Sequence, residues 1–151
     1  MIASDSNTLQ KTLTDLVRKN RDAQQGYHKA AEDVEVPNLV SYFKTCSQQR
    51  KEFVHELESE MKVLGLEVPN ISTSWQGDIH QLWMDLRSVL ASDSEDAVLQ
   101  ETIRGDNSAL EEYASILDKE DLPESTGRLL RKQKAKIEMD LYKNRQMEAM
   151  E

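Results

Sequence analysis

Apolar residues recur at alternating steps of four and three along most of this chain, and that spacing allows little besides long α-helices packed side by side. Leu9, Leu13, Leu16, Asn20, Ala23, Tyr27, Ala30 and Val34 form one such seam, which predicts a helix over about residues 6–34. Ser4, Asp5 and Ser6 offer its N-cap. A second seam, Leu39, Phe43, Cys46, Arg50, Phe53, Leu57, Glu60 and Leu64, predicts a helix over about 37–64, with Pro37 in its first turn and Gly65 to close it. The chain has only 5 Gly and 3 Pro, so few residues interrupt helices of this length.

The link between these two helices is a few residues long, which makes them antiparallel neighbours. Residues 65–77 then read as loop: Gly65, Pro69, Asn70, Ser72, Thr73, Ser74 and Gly77. Ile79, Leu82, Trp83, Leu86, Val89 and Leu90 mark a shorter amphipathic helix over about 78–91. After the capping signal Ser92–Asp96 comes the seam Leu99, Ile103, Asp106, Leu110, Tyr113 and Leu117, a helix over about 95–118. Gly105 lies inside it, at a cost of roughly 1 kcal/mol against Ala, and is expected to admit a close neighbour. Thr126, Leu130, Gln133, Ile137, Leu141 and Asn144 form the last seam, a helix over about 123–145, with Gln146–Glu151 fraying beyond it. The expectation is an all-α four-helix bundle, one domain over residues 1–151, with a long crossover that contains a short helix. One long crossover between two helical hairpins is the ferritin-like arrangement; an up-and-down bundle with a kinked 78–118 helix is the competing one.

Charge and cysteine usage narrow the functional classes. There are 19 Lys+Arg against 28 Asp+Glu, a net charge of −9, which repels phosphate backbones and argues against nucleic acid. The basic segment Arg128, Arg131, Lys132, Lys134 and Lys136 sits beside acids and reads as a solvated helix face. The single Cys permits no internal disulfide and no cysteine-based metal cluster. The start of the chain lacks a basic region followed by an apolar run, and no apolar run is long enough for a membrane span. These features point to a reduced, cytoplasmic setting.

Each long helix carries a polar residue near the middle of its seam: Asn20, Arg50, Asp106 and Gln133. Burial of such groups requires partners, so the four are expected to share one buried polar layer. Di-iron bundles use this layer for metal, with a Glu from each of two helices and a Glu-x-x-His pair from each of the other two. Here the corresponding positions hold Asn20, Arg50 with Phe53, Asp106, and Gln133 with Lys136. Only Asp106 is an anionic ligand, and Arg50 and Lys136 place cations where a metal belongs. The reading is therefore no metal and no cofactor, with Arg50 and Asp106 as a buried ion pair and Asn20 and Gln133 filling the remaining donors and acceptors. Such a layer sets helix register more than it adds stability. Tyr27 follows Asn20, and Tyr113 follows Asp106, by the same seven-residue step, a faint echo between two hairpins.

With these positions in hand, the chain resembles a bacterial ferritin-like four-helix-bundle family of unknown function (of the domain of unknown function 2383 type). The resemblance runs from about Leu9 to Tyr142. It is carried by Gly26-Tyr27-x-x-Ala30-Ala31, by Gln49-Arg50-x-x-Phe53-x-x-x-Leu57, by Trp83, and by Arg104-Gly105-Asp106-x-x-Ala109-Leu110-x-x-Tyr113. It implies the fold and carries no reaction to transfer.

Other residues attract weaker readings. His28 and Glu32, and Glu52 and His55, lie one helical turn apart and read as ordinary surface, as does His80. Cys46 reads as a small buried hydrophobe. Trp75 and Trp83 read as packing the crossover onto the bundle, and together with Tyr42 they are candidate interface aromatics. Met139, Met147 and Met150 read as loose packing. No phosphate loop, nucleophile elbow or Cys/His constellation is present.

The functional expectation is a non-catalytic bundle acting by association, as a homodimer or other homo-oligomer, with a protein partner, or within a stress-related assembly. A metal-binding or oxidase-like ferritin relative is the alternative, through another register that uses Glu32, Glu101, Glu111 or Glu112, or through a site between subunits. Arg50→Ala is expected to destabilise by about 3 kcal/mol or more, by stranding Asp106 in the core. A denaturant melt that hardly moves would remove the buried-layer expectation.

Overall fold

The computed structural model describes residues 3–69, 95–119 and 121–149. The expected short helix over 78–91, with Trp75, His80 and Trp83, lies outside the described residues. The described chain is all-α: α1 (Ala3–Asp33), α2 (Pro37–Val63), α3 (Glu95–Lys119) and α4 (Glu124–Ala149). It divides into two compact units, Met1–Met84 and Asp85–Glu151. α1 packs on α2 in the first, and α3 packs on α4 in the second. No helix among the described residues is long and apolar enough to cross a membrane.

Helix ends follow local chemistry. α1 starts at Ala3, so Ser4, Asp5 and Ser6 lie within the helix and not before it. Val36 is extended, at φ −75° and ψ 120°, as the residue before a proline prefers, and Pro37 opens α2 with the fixed φ of a first-turn residue. The Val36 carbonyl accepts from Val40 N at 3.0 Å, which starts the helical ladder. At the other end Gly65 takes φ 75°. The Leu66 N–H then reaches Met61 O at 2.8 Å and the Gly65 N–H reaches Lys62 O at 3.1 Å, the paired bonds of a Schellman cap. Pro123 stands just outside α4, where its carbonyl accepts from Gly127 N at 2.9 Å. α4 runs on to Ala149, past the expected fraying point. A side-chain bond in its last turns, Gln146 Nε2 to Tyr142 Oη at 2.8 Å, supports the extension.

The seams are the buried stripes, with one systematic deviation. Along α4, Thr126, Leu130, Gln133, Ile137, Leu141 and Asn144 are all buried. Along α2, Leu39, Phe43, Cys46, Arg50, Phe53 and Leu57 are buried, but Val54 and Met61 join them while Glu60 and Leu64 are only half-buried. On α1, Val17 and Ala31 are buried beside Leu13, Leu16, Asn20 and Ala30. A straight helix turns 3.6 residues at a time, so a 3.5-residue seam drifts by about 20° per heptad and neighbouring positions take over the contact. Cys46 is a free thiol buried in α2. Met139 is not loosely packed inside: it is 56% exposed on the outer face of α4.

The described residues bring no close neighbour to Gly105. A Cβ built there meets nothing within 4 Å among the described residues. Gly105→Ala is therefore expected to raise stability by about 0.5–1 kcal/mol through reduced freedom of the unfolded chain. Thermal melts check this, and a fall in Tm would show that α3 is approached closely at that point.

Candidate functional site

In the first unit the site is built on one buried cation. Arg50 projects from the middle of α2 and is 5% exposed. Its guanidinium carbon lies 5.8 Å from the centre of the Tyr27 ring and 5.9 Å from that of Phe53. Phe53 is one turn along the same helix, and Tyr27 faces it from α1. Arg50 Nη1 donates to Asn20 Oδ1 at 3.4 Å, and Asn20 Nδ2 donates to Leu16 O at 2.9 Å. The asparagine is thus anchored to its own helix and presents its carbonyl to the cation. Tyr27 stacks on Phe43 with ring centres 5.9 Å apart, and Tyr42 tilts against Phe43 at 5.7 Å. Two of the four expected layer residues, Asn20 and Arg50, therefore meet directly. Both rings lie within cation–π range of the charge, a contact worth about 0.5–2 kcal/mol.

The second unit has its own polar core. Tyr113 Oη donates to Gln133 Oε1 at 2.7 Å, and both residues are buried. Asp106, two turns before Tyr113, is buried as well. Thr102, Asp140 and Asn144 are also buried, so this hairpin is more polar inside than its seams suggest. Asn144 Oδ1 and Nδ2 find no hydrogen-bond partner among the described residues. Among the described residues no group of three or more His, Cys, Asp or Glu is placed to hold a metal ion.

Two features escape the seam analysis. The first is Asp22, next to the α1 seam and 4% exposed. Its Oδ2 has no hydrogen-bond partner among the described residues. Burial pushes its carboxyl from an ordinary 3.8 up to about 7, against the lowering pull of Arg21 and Arg18. Neighbouring Arg21 instead pairs with Glu58 of α2 at 3.3 Å. The sequence signal for Asp22 is weak, because a charge one place off a seam reads as solvated. The second feature is a clip after α2. Gln10 Nε2 donates to Glu67 O at 2.8 Å, and Glu67 N donates to Gln10 Oε1 at 2.9 Å. A shallow groove of about 710 Å³ runs beside it, lined by Asn7, Lys11, Asp15, Arg18 and Val68 among others. Its opposite charges alternate along the wall, so no field of one sign selects an ion there. His28, exposed, lies 3.8 Å from Glu32 as a surface pair.

These hairpins define an all-α protein whose helical seams each carry a buried polar group near mid-length. The chain belongs to the family described as Domain of unknown function (DUF2383), whose model matches residues 8–119. The match takes in α1, α2 and α3 and stops where α3 ends, so Gln133 and the rest of α4 lie beyond it. No curated protein matches the chain.

Asp22 yields a pH dependence with a definite sign. Below about pH 4 the carboxyl is protonated folded or unfolded. Between about pH 4 and 7 only the folded chain keeps the proton, so stability falls as pH rises, by at most about 1.4 kcal/mol per pH unit. Above about pH 7 the cost is complete. Asp22→Asn is expected to flatten this slope and to add roughly 2 kcal/mol at pH 8 while changing little at pH 4. Denaturant melts of both proteins across that range check it; parallel profiles would place Asp22 in water.

Proposed function

We propose that this protein is a non-catalytic, ferritin-like helical bundle that acts by association, with itself or with a protein partner. One observation carries the reading: Arg50, enclosed by Tyr27, Phe53 and Asn20, puts a permanent cation at a position where a di-metal bundle needs a carboxylate. A guanidinium does not deprotonate in a protein, so it cannot become a ligand. The second unit supports the same reading. The Glu-x-x-His positions of α4 are taken by Gln133, which is engaged with Tyr113, and by Lys136. A bundle whose mid-height polar groups bind one another has register and rigidity to offer, and its outer faces remain for recognition.

The test is the iron content of the purified protein after loading, with the oligomer mass read from the same column. The expected result is no stoichiometric iron in any oligomeric fraction. Iron near two per chain would install the oxidase-like alternative, with ligands drawn from another register or from between subunits.

A further inference from the structure

Positive charge in this acidic chain is concentrated on one helix. α4 carries seven Lys and Arg against four Asp and Glu, which leaves the rest of the chain with twice as many acids as bases. One of the four acids, Asp140, is buried. Glu124 and Glu138 are exposed, and each is held by a cation of the same helix, Arg128 at 3.2 Å and Lys134 at 3.4 Å. The outer face of α4 is therefore positive, although the chain as a whole stands at −9.

Large apolar side chains stand at the centre of that face. At about 3.6 residues per turn, Ala135, Met139 and Tyr142 fall within roughly 60° of one another around the axis, opposite the buried stripe from Thr126 to Asn144. Met139 and Tyr142 are 56% and 60% exposed. Lys132, Lys136 and Lys143 lie on one flank of this crest, and Arg131, Lys134 and Arg145 on the other. A helix of 26 residues is about 39 Å long, and a rod with its apolar side chains on the crest fits a plane better than a groove. Lys is depleted in protein interfaces, yet it supplies four of the seven cations here. At a lipid surface, Lys and Arg stems lie along apolar material while their charged ends reach the headgroups. A phosphate backbone of nucleic acid offers no apolar layer for Met139 and Tyr142.

We propose that the outer face of α4 docks flat on an anionic lipid surface, with Met139 and Tyr142 entering the headgroup layer and the flanking cations meeting the lipid phosphates and carboxylates. The contact is peripheral, and no helix among the described residues is long and apolar enough to cross the bilayer. Two large apolar side chains give a shallow, reversible contact, so charge carries most of the attraction. Acids elsewhere in the chain oppose it weakly. The screening length is about 8 Å in physiological salt, and a helix with its side chains is about 10 Å across. The docking goes beyond the association reading above and does not depend on it.

Co-sedimentation of the full chain with vesicles is the experiment, using phosphatidylcholine alone and an equimolar mixture with phosphatidylserine, at low and high salt. The wild type is expected to pellet with the mixed vesicles, to stay in solution with phosphatidylcholine, and to be released by salt. Arg131→Glu with Arg145→Glu is expected to weaken binding by about tenfold or more at unchanged helicity. Met139→Ser with Tyr142→Ser is expected to weaken it less. Lys44→Glu with Lys51→Glu makes the same change of net charge on exposed residues of α2 and is expected to leave binding intact. Equal loss in that control, equal binding to neutral vesicles, or no binding to either overturns the proposal. A chain that ignores the vesicles but binds poly-glutamate through Arg131 and Arg145 also overturns it, and gives the face to an acidic protein.

Discussion

A guanidinium taken out of water keeps its charge, so the groups around it have little freedom in where they sit. Arg50 imposes that constraint on the first hairpin. Asn20 must turn its carbonyl toward the cation, and it does so by tying its amide to Leu16 one turn back. Tyr27 and Phe53 must lie near it, and Tyr27 in turn stacks on Phe43. Sliding α1 by one turn against α2 would lose the Asn20–Arg50, Tyr27–Arg50 and Tyr27–Phe43 contacts together. The apolar seams supply most of the driving force for packing.

The second hairpin meets the same requirement by different means. A phenol and a carboxamide, Tyr113 and Gln133, replace the cation and the asparagine. Its interior also holds Asp106, Asp140 and Thr102. Each hairpin thus carries a buried side-chain hydrogen bond between its own two helices, Arg50 with Asn20 in one and Tyr113 with Gln133 in the other. The strongest outward feature is on α4, where apolar side chains that a helix would normally bury stand in water among cations.

Much of the fold was legible because burial on a helix is periodic. The α4 seam from Thr126 to Asn144 is read residue by residue from spacing alone, and the cap at Gly65 follows from one glycine after an apolar run. The polar residues on the seams were legible by the same rule, since a polar group at a core spacing must be buried or break the pattern. Asp22 and Asp140 were not legible. Each sits one place from a seam residue, where the drift of a straight helix decides between water and core, and period alone does not resolve a shift of that size. Met139 illustrates the converse: an apolar residue near the end of a helix reads as packing until its neighbour is known to be solvent.

By itself the sequence determined four long helices, their approximate ends, the antiparallel pairing forced by short links, and which mid-helix groups needed partners, because each depends on spacing along one chain. Tertiary structure alone decided partners such as Asn20 for Arg50, Gln133 for Tyr113 and the backbone of Glu67 for Gln10. It alone decided that Asp22 loses water and that Met139 and Tyr142 keep it. Partner choice and solvation depend on distances between segments remote in sequence, and a helical period specifies direction around an axis without specifying what stands opposite.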